Sequence, residues 1–295
     1  MDNNQTQTSK SFYIKHGLYL IFSIAVAVVF TFIQTDLLYF HYETDIFLFS
    51  AETNTPVILY PILVACIVFI ATALISLRKE TFPAQITESK NVTIFLSVFC
   101  GLVFLMYFGY HMYQFVIDID NFVMSAHSTL GLAASVFAAP ASVYFFILAL
   151  KKNPFIKATT PFGLCVVLWA ILNLMSEYFY MNSPLNDPVR IIHQISYIAI
   201  MLFYLYDAGY FAEIYNPVLY QVYGYSAIIL ISLSSIPAII LSLSNLKPLS
   251  IDMMSCYVEF CLLLFVICRM ISISIGAKNQ PSNDVIGEDT DTDEK

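Results

Sequence analysis

Several ionisable and polar side chains recur at helical spacing inside strongly apolar runs of this chain. Tyr107, His111, Gln114 and Asp118 fall at i, i+4, i+7 and i+11, one face of a helix. Asn173 and Glu177 stand four apart and are followed by Tyr180. His127, the pair His193-Gln194 and the set Asp252, Ser255 and Glu259 each lie near one end of a further run. An ionisable group in hydrocarbon is costly, so each is a functional candidate until a partner is found for it. His111, Gln114, Asn173, Glu177, His193 and Glu259 are the candidate ligand-binding residues. Such a set could bind a divalent cation, recognise a polar solute or respond to external pH. No metal and no cofactor is singled out by the spacing. The competing reading is that each side chain reaches the headgroups or satisfies a neighbour's backbone. It is the better one for His127 and Asp252, at segment ends. Glu177 and Glu259 need a partner or a proton, and Arg190, three residues before His193, could meet Glu177 across a short turn.

A second pattern runs along one segment. His193, Tyr197, Tyr204 and Asp207 fall at i, i+4, i+11 and i+14. This hydroxyl-bearing stripe could carry a proton or an ion. Tyrosines at this spacing also pack in bundles with their hydroxyls on neighbouring groups. Ile200 and Met201 interrupt the stripe at its middle, which favours packing.

Established catalytic signatures are absent: no H-E-x-x-H, G-x-S-x-G, phosphate loop or dinucleotide fingerprint occurs. His111 and His193 could in principle serve a haem, and a membrane-embedded metal- or haem-binding enzyme is the third reading. The six cysteines, Cys66, Cys100, Cys165, Cys256, Cys261 and Cys268, lie in apolar runs without a C-x-x-C and read as small buried residues. Asn91-Val92-Thr93 matches a glycosylation sequon but falls on the inner side of the threading below.

The elements that must position these residues follow from composition. Hydrophobic residues are 59% of the 295 and charged ones 12%, about half the usual charged share. Mean hydropathy is +0.74. A soluble protein of this size could not hide so much apolar surface; a bilayer can. These values exclude a nucleic-acid binder, a secreted disulfide scaffold and a soluble enzyme. A spanning helix needs about 20 mostly apolar residues, and eight stretches qualify: 17–35, 57–77, 92–116, 122–150, 161–181, 189–211, 216–243 and 251–275. The fold class is therefore an all-α, eight-helix membrane bundle over 17–275, with a leader at 1–16 and an acidic tail at 276–295. Residues 281–295 hold six acids and one base, and so supply −5 of the net charge of −8; such a run reads as disordered.

Basic residues resist translocation. With the N-terminus inside, eleven of the 13 Lys and Arg fall on inner segments, and only Arg190 and Lys247 fall outside. Both ends are therefore expected in the cytoplasm, with the plasma membrane as the default. The polar set above then sits about 5–12 Å below the outer boundary at 1.5 Å per residue, as an outward vestibule. The connection 36–56, rich in Leu, Phe and Tyr, is expected along the outer interface, as a lid or as interfacial packing. The inner connection 206–217 carries acids without a base, against the trend. Gly131, Ser135, Ala138 and Ser142 give the fourth helix a small-residue face, which places it at the bundle's centre, kinked at Pro140. No internal repeat relates the two halves, and glycine is scarce, nine residues. Both count against repeat-built transporters. The expected function is a non-enzymatic, sensory or regulatory membrane protein with an outward polar pocket. The alternative is a proton- or cation-coupled transporter of a small solute. The bilayer is the one partner composition requires.

Overall fold

The computed structural model describes residues 2–50, 54–76, 90–117, 125–150, 159–180, 184–212, 216–244 and 252–276. Among them are eight helices, each long and apolar enough to cross a membrane: α1 (Asp2–Phe40), α2 (Thr55–Ser76), α3 (Lys90–Ile117), α4 (Ala126–Leu150), α5 (Thr160–Tyr178), α6 (Pro188–Phe211), α7 (Pro217–Leu243) and α8 (Met253–Gly276). A two-stranded antiparallel hairpin, β1 (Tyr42–Glu43) and β2 (Leu48–Phe49), follows α1, with Tyr42 opposite Phe49. The chain is thus an integral membrane protein of all-α architecture.

Helix starts follow local chemistry. Asp187-Pro188 and Asn216-Pro217 each place a capping side chain before a proline at the first helical position, where the missing N–H costs nothing. Asp187 Oδ1 accepts from Val189 N at 3.0 Å, and Asn216 Oδ1 from Val218 N at 3.1 Å. Asp252 caps α8, accepting from the backbone N of Met254 and Ser255 at 3.2 and 3.1 Å.

Helices α3 to α8 pack in a closed order, α3 on α4, α4 on α5, and so on until α8 returns to α3; α1 lies against α7 and α8, and α2 against α1 and α7. The fourth helix is not the centre. Its apolar stretch is 44% buried, against 72% for α8. Its small face, with Ser135, Ala138 and Ser142 buried, serves close packing on its neighbours rather than a central role. The α7–α8 contact is close enough that a Cβ at Gly224 would come within 2.5 Å of Met270 Sδ. On the outside Val64, Val68, Phe69, Phe95 and Met106 are exposed, an apolar surface suited to lipid.

Three further expectations change. α1 starts at Asp2 and continues to Phe40, its stretch of spanning character beginning at His16, so the connection to α2 shortens. What remains of that connection forms the hairpin. Its Tyr42 is buried with Leu38, Val189 and Leu241, and its hydroxyl donates to Asp187 Oδ1 at 3.1 Å. The hairpin is therefore pinned to the start of α6. Finally, 206–211 is no connection: α6 runs through Phe211, with Asp207, Ala208, Tyr210 and Phe211 buried. Residues 213–215, 118–124 and 277–295, including Asp118 and the acidic tail, lie outside the described residues.

Candidate functional site

At the end of the bundle that carries the hairpin, a cavity of about 440 Å³ opens between α3, α4, α5 and α8. Tyr107, Tyr110, His111 and Gln114 line it from α3, His127 and Gly131 from α4, Asn173, Ser176 and Glu177 from α5, and Asp252 and Ser255 from the start of α8. Four candidates, His111, Gln114, Asn173 and Glu177, thus meet in one space. The size lies within the range of pockets for small molecules, about 300–1,000 Å³.

Most of the lining is already hydrogen-bonded. His111 Nε2 lies 3.2 Å from Asp252 Oδ2, which also accepts from Ser255 Oγ at 2.7 Å. Burial pushes the Asp252 carboxyl up. The hydrogen bond and charge of His111, with Ser255 and the Met254 N–H, outweigh it, so the group is held below the usual carboxylate range. Tyr107 donates to Asn173 Oδ1 at 3.0 Å, and Asn173 Nδ2 donates to the Trp169 carbonyl at 2.9 Å. His127 Nδ1 lies 2.9 Å from both the carbonyl and the hydroxyl of Ser176. Gln114 Nε2 donates to the Tyr110 hydroxyl at 2.6 Å.

Glu177 differs. Its carboxylate accepts no hydrogen bond and closes no ion pair within 4 Å among the described residues. Its electrostatic neighbours are His193, His127, Arg190 and Asp252. Arg190 does not reach across to it; the guanidinium Nη2 donates to the Tyr178 carbonyl at 2.6 Å instead.

His193 and Glu259 do not line the cavity. They form a buried cluster between α6, α7 and α8, in which Glu259 Oε1 lies 3.1 Å from His193 Nδ1 and Glu259 Oε2 accepts from Ser196 and Ser234 at 2.9 and 2.8 Å. Cys256 faces the same imidazole. The two side chains are 2% and 0% exposed. His111 and His193, each engaged with its own carboxylate, belong to different clusters and do not form a facing pair for haem. Among the described residues no three His, Cys, Asp or Glu side chains are grouped as a metal ion would require.

The stripe on α6 leads away from the cavity. Tyr197 packs edge-on to Trp169, and Tyr204 against Phe145, Phe203 and Phe265. Asp207 ends it in a second buried cluster. The hydroxyls of Tyr144 and Tyr220 donate to its two oxygens, the latter at 2.7 Å, and Arg269 Nε lies 3.5 Å away. The guanidinium also sits over Phe211 and Phe265, 5.3 and 5.5 Å from the ring centres. Arg269 is thus the buried partner of Asp207, one of the two acids in 206–217; the other, Glu213, lies outside the described residues.

Tyr110, Ser176, His127 and Asp252 are lining residues that the sequence did not single out for binding. The last two sit at helix ends, and a helix end facing a cavity reads in sequence like one facing headgroups. Fold and site together define a class, a multi-pass helical membrane protein with a polar pocket sunk into an end of its bundle. No family model matches the chain, and neither a curated protein nor a solved structure matches it.

Proposed function

We propose that the protein is a non-enzymatic sensor or regulator of the plasma membrane, with both termini cytoplasmic, that takes a small polar solute into an outward-facing pocket. One observation carries this reading: the cavity ends in a packed core. Beneath Tyr107 and Asn173 stand Trp169, Phe104, Phe145, Tyr204 and Phe265, each at most 1% exposed. Phe104 and Tyr107 both meet Trp169 edge to face, at 5.3 and 5.8 Å between ring centres. Occupancy is then felt by the aromatic core rather than passed through it. The two ionisable clusters on α6 favour proton-coupled transport as the second reading; it requires a route between His193 and Asp207, where Ile200 and Phe203 are fully buried.

The chain has a single tryptophan, Trp169, directly under the pocket, so its emission reports occupancy. In reconstituted vesicles a panel of amines, amino acids, sugars and carboxylates is expected to include solutes that change this emission without entering the lumen. Accumulation of the same solute, driven by a proton gradient, would overturn the sensory reading in favour of transport. If no solute in the panel alters the emission, the pocket reading fails.

A further inference from the structure

We infer that the pocket is built for a small organic ammonium, a solute carrying a protonated amine. This rests on the proposed binding role and names its ligand class. Asp252 is engaged by His111, by Ser255 and by two backbone N–H groups. Asn173 uses its carbonyl on Tyr107 and its amide on Trp169. Ser176 and His127 are turned on each other. Gln114 donates one amide N–H to Tyr110, and its Oε1 accepts from no described group. Of the two carboxylates in the lining, Asp252 is thus engaged, and Glu177 is the one without a partner within hydrogen-bonding distance among the described residues, with Gln114 Oε1 as a further acceptor in the same lining.

No lysine or arginine lines the cavity, so an anionic solute would meet an unpaired negative charge. A carboxylate recessed from bulk water gains most from a cation that also donates hydrogen bonds. A divalent metal would need further His or carboxylate ligands gathered around Glu177, and no such group exists among the described residues. An ammonium needs only acceptors, and Tyr107 and Tyr110, which also line the cavity, are ring types that attract a cation. The cavity is also far larger than a bare ion needs.

The test uses the full-length purified protein and a matched pair of probes, benzylamine and benzyl alcohol, which are alike in shape and differ in charge. Benzylamine is expected to change Trp169 emission saturably, with benzyl alcohol weaker by about tenfold or more. Glu177→Gln keeps the side-chain shape and removes the charge. It should lose the amine response and leave the melting temperature near that of wild type, while Glu177→Asp retains part of the response. Gly131→Phe, which fills the cavity from α4 toward Ser176, should abolish both. Equal responses to the two probes, or a full amine response in Glu177→Gln, would overturn the ammonium assignment. If those responses vanish in Gly131→Phe, the pocket still binds solutes and the receptor reading survives. No response to any amine overturns the ammonium assignment as well, whatever other solutes do.

Discussion

Arg269 Nε stands 3.5 Å from Asp207 Oδ1, with side chains 1% and 0% exposed. The pair ties α8 to α6, and Tyr144 of α4 and Tyr220 of α7 add their hydroxyls to the same carboxylate. Four helices converge on one group at the end opposite the pocket. Removing one partner of a buried pair strands the other charge and costs on the order of 3–5 kcal/mol, whereas apolar groups of like volume at both positions come close to neutral. Asp207→Leu and Arg269→Met should each sharply lower the thermal midpoint in detergent, and the double variant should recover most of the loss. Additive losses in the double-mutant cycle would show that the pair is not coupled.

The hairpin anchor gives a pH prediction. Burial pushes the Asp187 carboxyl above the ordinary carboxylate range. The N–H of Val189, the hydroxyl of Tyr42, and the N–H and charge of Arg190 pull it back only in part. The Tyr42 hydroxyl, buried beside that charge, is raised well beyond the usual phenol range and stays a donor. A carboxyl raised on folding contributes stability that is fully present below its ordinary pKa and is lost as pH rises through the folded value. Tyr42→Phe removes one of the groups that lower Asp187, so the loss should extend to higher pH than in wild type. Asp187→Asn keeps a competent cap and should flatten the dependence. Thermal midpoints between about pH 4 and 7 test this; parallel profiles for all three proteins would refute it.

The threading has its own test. Cysteines introduced as Thr53→Cys and Asn186→Cys should react with an impermeant thiol reagent from outside intact cells, and those from Gln85→Cys and Asn153→Cys should react only after the membrane is opened. The reverse pattern would turn the pocket toward the cytoplasm.

Much of this architecture can be read from residues alone because each helix announces itself. Apolar runs of spanning length mark the eight helices, and Asp187-Pro188 and Asn216-Pro217 mark where two of them start. A rise of 1.5 Å per residue puts His111, Gln114, Asn173 and Glu177 at similar depth, and the structure brings these four to one cavity. Periodicity, however, describes a face relative to its own helix axis and says nothing of the helix it meets. Hence Asp207 reads as the end of a stripe or as an acid of the 206–217 connection, and nothing in the spacing names Arg269 as its partner until α6 and α8 are seen side by side. His193 and Glu259 share the pocket's depth but turn toward α7 instead of α3. The small residues of α4 mark close packing, which any helix of the ring can use, and so do not reveal that α8 is the most enclosed.

That enclosure bears on how the protein is made. Glu259 and Arg269 both lie on α8, the last of the eight helices to leave the ribosome, while His193 and Asp207 lie on α6, made well before it. Until α8 arrives, the acid and the imidazole on α6 lack these two partners, and α8 itself carries two groups that a lone apolar helix tolerates poorly in hydrocarbon. Its entry is therefore favoured by the earlier helices already waiting with Ser234, Tyr144 and Tyr220 in place. A chain interrupted before α8 therefore leaves Asp207 without Arg269 and His193 without Glu259.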